Sequence, residues 1–385
     1  MKKYSALLLV FIMIITTACT SNLYAGKDST QSTNSQLSEP STKSETSENG
    51  NASTVDSKSN NAAENTLSAE NSQKQEAAVI DYNQVKPDES GQIMVVMFHN
   101  FVEAYPKGNN EYTTTFSEFE KLLQELYQKK YRLISLTDML NDNIDVPAGY
   151  IPMVFTFDDG TSGQYNLIEN DGKLVVNPKS AVGIMEAFNA KHPDFGLKGT
   201  FYVNLGVKTT FKGAGTMSDR LNYLIEKGFE IGNHTKTHVS LPTVKTSQKM
   251  LEEVGGNQKL MNELVPGYVF NSFSLPFGNA SKDLKEYVIQ GNYEGTAYKN
   301  SAIMLVGANP APSPVSDKFN PMALPRVRAT GMKKVDCDLA WWLDALKKGK
   351  SQYVSDGNPN TVTIPKAKQQ NIDMSRLNGK QLITY

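Results

Sequence analysis

Four histidines occur in the 385 residues, and two of them lie four positions apart. They are His234 and His238, in the run Gly232-Asn233-His234-Thr235-Lys236-Thr237-His238. On a helical turn that spacing puts both imidazoles on one face. With one carboxylate they make a two-His, one-Asp set that leaves coordination positions open for water and substrate. Carboxylates of the right kind stand at the end of the apolar run Phe155-Thr156-Phe157, where Asp158 and Asp159 are followed by Gly160. Buried strand ends rarely carry two carboxylates for stability. Neighbouring side chains of an extended chain point to opposite sides, so one Asp can bind a metal while the other faces a substrate only if the backbone turns there, as Gly160 allows. Each segment alone has an ordinary reading too, Asp-Asp-Gly as a turn and the histidine pair as a surface helix.

Two more segments carry polar or turn chemistry. Phe273-Ser274-Leu275 ends in Pro276-Phe277-Gly278, a turn able to present a backbone N–H and an aromatic wall to a ligand. In Leu324-Pro325-Arg326-Val327-Arg328, alternation puts Arg326 and Arg328 on one face, from which one guanidinium can pair with a strand-end carboxylate.

The elements that must position these groups alternate between strand and helix periods. Ile93 to Phe98 is an apolar run of strand length, and Phe116 to Lys130 has apolar residues at helical spacing. Further strands are expected at Arg132–Leu136, Met153–Phe157, Gly199–Asn204, Phe229–Gly232, Phe273–Leu275, Gly295–Tyr298 and Met322–Val327. Helices are expected at Ser180–Lys191, Ser218–Lys227, Thr246–Leu264, Lys282–Gln290 and Asp336–Lys348. Repeated βα units of this kind imply a parallel, barrel-like sheet, an α/β fold whose functional groups gather at the C-terminal ends of the strands. Asn170-Asp171-Gly172, between Tyr165–Ile168 and Lys173–Val176, signals a hairpin in the segment after Gly160.

Lys plus Arg number 39 against 40 Asp plus Glu, a net charge of −1, which suggests no nucleic-acid partner. Residues 1–19 read as a secretory signal: Lys2 and Lys3, an apolar run, then Thr16-Thr17-Ala18-Cys19. The position of Cys19 resembles a bacterial lipoprotein signal, with Thr16 where Leu is usual. That resemblance implies a lipid anchor at Cys19 and a place on the outer surface of the membrane. Residues 20–88 are rich in Ser, Thr, Asn and Glu and read as a disordered tether. Residues 89–348 form the expected catalytic domain and 349–385 an irregular tail. Cys337 is the only cysteine after Cys19, so no disulfide framework is available, and it reads as a structural thiol.

Taken in order, the segments resemble the NodB-homology polysaccharide deacetylases, carbohydrate esterase family four. Thr156-Phe157-Asp158-Asp159-Gly160 and His234-x3-His238 carry the likeness, with Lys198-Gly-Thr-Phe-Tyr-Val203 as the intervening strand, over roughly Gln92 to Gly331. The resemblance implies a distorted (β/α) barrel and a metal-dependent hydrolase that removes acetyl groups from N-acetylated, N-acetylglucosamine-containing polysaccharide. It implies Asp158 as general base and Asp159, His234 and His238 as ligands of a divalent metal, zinc first, with cobalt, nickel or manganese as alternatives. It also implies substrate contact at Pro276, Phe277 and Gly278. The family's late Leu-x-His is missing, since no histidine follows His238. Val95-Val96-Met97-Phe98-His99 instead resembles the circularly permuted poly-N-acetylglucosamine enzymes, which implies His99 as general acid. The family's Arg before the Pro-aromatic-Gly turn is also missing. Ser274 lies in that neighbourhood, and Arg326 is the candidate substitute partner for Asp158. The rival readings are a lipid-anchored glycan-binding protein of the same fold without turnover, an O-acetyl esterase of the xylan type, and a metal-scavenging lipoprotein.

Overall fold

The computed structural model describes residues 80–108, 110–330, 335–347 and 351–385. The signal segment, Cys19 and most of the tether lie outside the described residues. Among these no helix is long and apolar enough to cross a membrane.

Eight parallel strands build the central sheet: Met94–Phe98 (β1), Tyr131–Leu133 (β2), Ile151–Asp158 (β3), Thr200–Val203 (β4), Glu230–Asn233 (β5), Ser272–Ser274 (β6), Ala302–Met304 (β7) and Val327–Arg328 (β8). Their order is β7-β6-β5-β4-β3-β1-β8, and β2 pairs with the start of β3 on the edge that β4 takes further along. The outer edges approach each other, because Met304 at the end of β7 bridges Leu324, just ahead of β8. The sheet is thus a curled, incompletely closed barrel with helices packed around it. Strands covered on both faces read as continuous apolar runs. β1 is Met-Val-Val-Met-Phe, buried at all five positions.

Side-chain parity sorts the two faces. Met153, Phe155 and Phe157 of β3 join the layer under the helices, where Phe157 stacks on Phe201 with ring centroids 4.5 Å apart. Val154 packs with the other cluster, among Val95, Tyr202, Met304 and Leu324. Asp158 is in register with Val154 and Thr156, so the strand carries it toward that inner face.

Helix Phe116–Gln128 (α1) opens with a capping box between Thr115 and Glu118 and buries Phe119, Leu122, Leu123 and Leu126. Helices Ala181–Lys191 (α2), Met217–Glu226 (α3), Ser247–Leu264 (α4) and Leu339–Lys347 (α5) follow the expected order.

Four expectations are corrected. Gly295–Tyr298 does not join the central sheet: Glu294 and Gly295 both take positive φ, 46° and 83°, and turn Gln290–Tyr293 back on the strand Thr296–Lys299 as a separate antiparallel hairpin. Met322–Val327 is a 3-10 turn and a short strand, since Pro325 has no N–H to give a ladder. The tail is not irregular. Thr361–Ile364 pairs in parallel with Gln381–Thr384, and Val362, Ile364, Ile372 and Leu377 pack with Val315 in a core of their own. Finally, Cys337 is not left as a free thiol.

The tail docks on the chain just ahead of β1. Asp88 bridges Val354, and the Glu89 carboxylate, 3% exposed, accepts from Tyr353 Oη and from the backbone N–H of Asp356 and Thr363. The described residues reach into the segment expected to be tether, with a short helix at Tyr82–Val85.

Candidate metal centre and its surroundings

The ends of β1, β3, β5 and β6 and the start of β8 meet on one rim, and each brings one of the groups singled out above. At the end of β3 the backbone turns at Asp159 itself, with φ 80°, and again at Gly160, with φ 62°. The turn keeps Asp158 on the inner face and swings Asp159 to the rim; the two side chains are 2% and 32% exposed.

After β5 the chain enters a loop, not the helical turn that the four-residue spacing suggested. Thr235 and His238 are left-handed, with φ 67° and 58°, and the reversal brings the two imidazole centroids within 4.9 Å, the rings tilted by 58°. A β-branched residue with positive φ is strained and persists only where surroundings over-determine it. Here they do. Asn204 Nδ2 donates to the carbonyls of His234 and Thr235, Thr235 N–H donates to Asn233 Oδ1, and Thr237 N–H and Oγ1 donate to the buried carboxylate of Glu253 on α4. Asn257, one turn further along α4, ties Asn233 to the Val203 carbonyl.

His234 Nε2 and His238 Nε2 lie 3.4 and 3.2 Å from Asp159 Oδ1. His234 Nδ1 donates to the Ser274 carbonyl at 2.8 Å, which leaves the Nε2 lone pair aimed at the carboxylate. Asp159 Oδ1 is buried and has no hydrogen-bond partner. Lone pairs facing a carboxylate oxygen repel unless a cation stands between them. Ligands at about 2.1 Å around a tetrahedral ion are roughly 3.4 Å apart, the separation found here. The three residues therefore fit a divalent metal, and among the described residues they are the one cluster of three or more candidate ligands. Asp159 is held well below the usual carboxylate range; burial opposes this, but contact with His234 and His238 outweighs it. For His234, burial pulls down and the two carboxylates push up more strongly.

Asp158 sits against Arg326, which is fully buried. The pair is bidentate, NH1 to Oδ1 and NH2 to Oδ2, both at 2.7 Å. The remaining donors of the guanidinium go to Thr156 Oγ1 at 3.1 Å, Ser274 Oγ at 2.9 Å and the Leu305 carbonyl at 2.7 Å, so all five are used. Ser274 Oγ in turn donates to Asp158 Oδ2 at 3.0 Å. Burial pushes the Asp158 carboxyl up, but the charge and hydrogen bonds of Arg326 bring it down to about 2.

His99 follows β1 directly, with Nε2 3.8 Å from Asp158 Oδ2. Gln164 Nε2 donates to the carbonyls of both His99 and Asp158 and so locks the two strand ends together. Burial lowers the His99 imidazole, and Asp158 offsets part of that. Pro276-Phe277-Gly278 forms the far wall, where Phe277 is 62% exposed, left-handed at φ 57°, and 4.8 Å from the His238 ring. His192 is elsewhere, packed between Tyr127 and Phe188.

All the expected site residues thus share one rim. The sequence reading missed the supporting polar groups. Glu253 and Asn257, spaced i and i+4 on the buried side of α4, were the available signal for the histidine loop. Nothing in the sequence marked Gln164.

Residues 147–295 match the polysaccharide deacetylase family. That span takes in Asp158, Asp159, His234, His238 and the Pro-Phe-Gly turn, and leaves out His99 and Arg326. No curated protein matches the sequence. Among solved structures, a polysaccharide deacetylase from Bacillus cereus is 16% identical with a TM-score of 0.48, covering 66% of this chain and 69% of that one. The Streptococcus pyogenes deacetylase PplD in complex with acetate is 16% identical, TM-score 0.48, over 66% of this chain and 97% of that one. IcaB from Ammonifex degensii is 16% identical, TM-score 0.43, over 62% and 92%.

Proposed function

We propose that this chain, which carries a polysaccharide deacetylase domain, is a metal-dependent hydrolase that removes N-acetyl groups from an N-acetylglucosamine-containing cell-surface polysaccharide. The observation that supports this best is the convergence of three metal-ligand atoms with a buried, ionised Asp158 and an imidazole on its other side.

Asp159, His234 and His238 would hold the ion, zinc first. When bound, it would polarise the acetyl carbonyl and acidify a water. Asp158 acts as general base. It is ionised across the physiological range, and three of its roughly four acceptor positions are taken by Arg326 and Ser274, which aims the remaining one. His99 gives its Nε2 proton to the departing amine, a step that an amide needs far more than an activated ester does. The backbone N–H of Phe277 would serve the developing oxyanion, and its exposed ring would offer a wall for a sugar.

We further propose secretion across the membrane and anchoring to its outer face through Cys19, with the Ser/Thr/Asn/Glu-rich segment as tether. The functional reading is tested by incubating the purified protein with defined divalent metals and a panel of acetylated glycans. Release of free acetate from N-acetylglucosamine oligomers supports it. Release from acetylxylan alone favours the O-acetyl esterase, and binding without release favours the glycan-binding protein.

A further inference from the structure

Arg328 belongs to the same short segment as Arg326 but takes no part in the chemistry above. Its Nε donates to Asp338 Oδ1 at 2.9 Å and its NH1 to Glu111. Asp338 is buried and accepts from Thr330 Oγ1 at 3.0 Å through its other oxygen. Held this way, the guanidinium carbon lies 5.2 Å from the centre of the Tyr112 ring. The Tyr112 ring meets the His99 imidazole edge-on, 4.8 Å between centroids at 63°. Asp338, Arg328, Tyr112 and His99 thus form a continuous row that ends at Asp158.

What gives this row a task is a missing hydrogen bond. A working imidazole ordinarily has its orientation set by a hydrogen bond at the nitrogen that does not react. His99 Nδ1 is buried and has no such partner. Gln164 fixes its carbonyl, and the orientation of its ring is left to the contacts it makes with Asp158 and Tyr112. Tyr112 is the aromatic ring in contact with it.

We propose that Tyr112, backed by Arg328 and Asp338, is the positioning residue of His99, holding the imidazole so that Nε2 faces Asp158 and the leaving nitrogen. The inference rests on the proposed role of His99 as proton donor. An edge-to-face aromatic contact biases a rotamer by roughly two- to tenfold, so that is the scale of effect to look for.

The experiment measures kcat and KM for N-acetylglucosamine oligomers, and the rate on an activated aryl acetate, in wild-type, Tyr112→Phe, Tyr112→Leu and Arg328→Gln proteins loaded with the same metal. Tyr112→Leu, which fills the space without a ring, is expected to lower kcat on the oligomer about tenfold with KM and the aryl acetate rate little changed. Tyr112→Phe should stay within about twofold of wild type, and Arg328→Gln should fall between. An unchanged ratio of amide to ester rate in Tyr112→Leu overturns the inference. So does a rise in KM at constant kcat, which would make Tyr112 a sugar platform, and so does failure of Tyr112→Phe to restore the rate. Wild-type protein that releases no acetate from any glycan defeats the functional reading itself, and this inference with it.

Discussion

Arg326→Met tests the frame on which the site is built. Arg326 is fully buried, spends five donors on four partners and is in bidentate contact with Asp158, itself 2% exposed. Removing the guanidinium leaves the carboxylate with Ser274 Oγ and no countercharge. Breaking one side of a buried pair costs about 3–5 kcal/mol, most of it the penalty for the charge left behind. Replacing both partners avoids that penalty. The expected pattern is therefore a loss of about 3–5 kcal/mol in Arg326→Met, a loss of similar order in Asp158→Asn, and a double variant no less stable than the worse single one. The coupling should be at least about 2 kcal/mol. Urea unfolding followed by circular dichroism, at one pH and in excess chelator so that metal does not contribute, reads these values. A single variant within about 0.5 kcal/mol of wild type, or strictly additive losses, would refute the claim that the pair anchors the rim.

Asp158→Asn should keep its metal yet slow acetate release by roughly 10²–10⁴-fold, the usual contribution of a positioned base; near-normal release rejects the role. Glu89 offers a pH test away from the site. Burial and the nearby Asp356 raise its carboxyl from the usual carboxylate range to about 8, so the folded state binds a proton that the unfolded state has lost. Stability should accordingly fall as pH rises from about 5 to 8, by up to about 4–5 kcal/mol. Glu89→Gln should flatten that slope even if losing the bond from Thr363 N–H lowers absolute stability; equal slopes in the two proteins would contradict it. Anchoring predicts a lipid-modified Cys19 peptide by mass spectrometry and loss of membrane partitioning in Cys19→Ser; unchanged partitioning rules it out.

Much of the fold was legible because strands of a doubly covered parallel sheet announce themselves as unbroken apolar runs, as β1 and β3 do. The hairpin at Asp171-Gly172 was legible for a different reason, since both residues take the positive φ that the pair favours. β7 was not legible. It is three residues long, and Ala-Ile-Met has no pattern of its own. The tail was missed because its order comes from contacts with the start of the domain, such as Glu89 with Thr363, which lie far apart in sequence. At the site, residue types and spacing identified the chemistry, and strand parity carried Asp158 to Arg326. Spacing misled only in the path between His234 and His238. A helix and a doubly left-handed loop both bring residues four apart together, and the loop is held by Asn204 and Glu253 from other elements. Tyr112 gave no signal, because its role depends on a hydrogen bond that His99 lacks.

The central claim is that Asp159, His234 and His238 hold one divalent ion on which acetate release depends. Zinc content per chain and acetate release from an N-acetylglucosamine oligomer, measured on the same samples of wild-type, Asp159→Ala and His238→Ala protein, test it directly. One ion per wild-type chain, with ion and activity lost together in both variants, is the expected result. Full occupancy or undiminished release in either variant would contradict it.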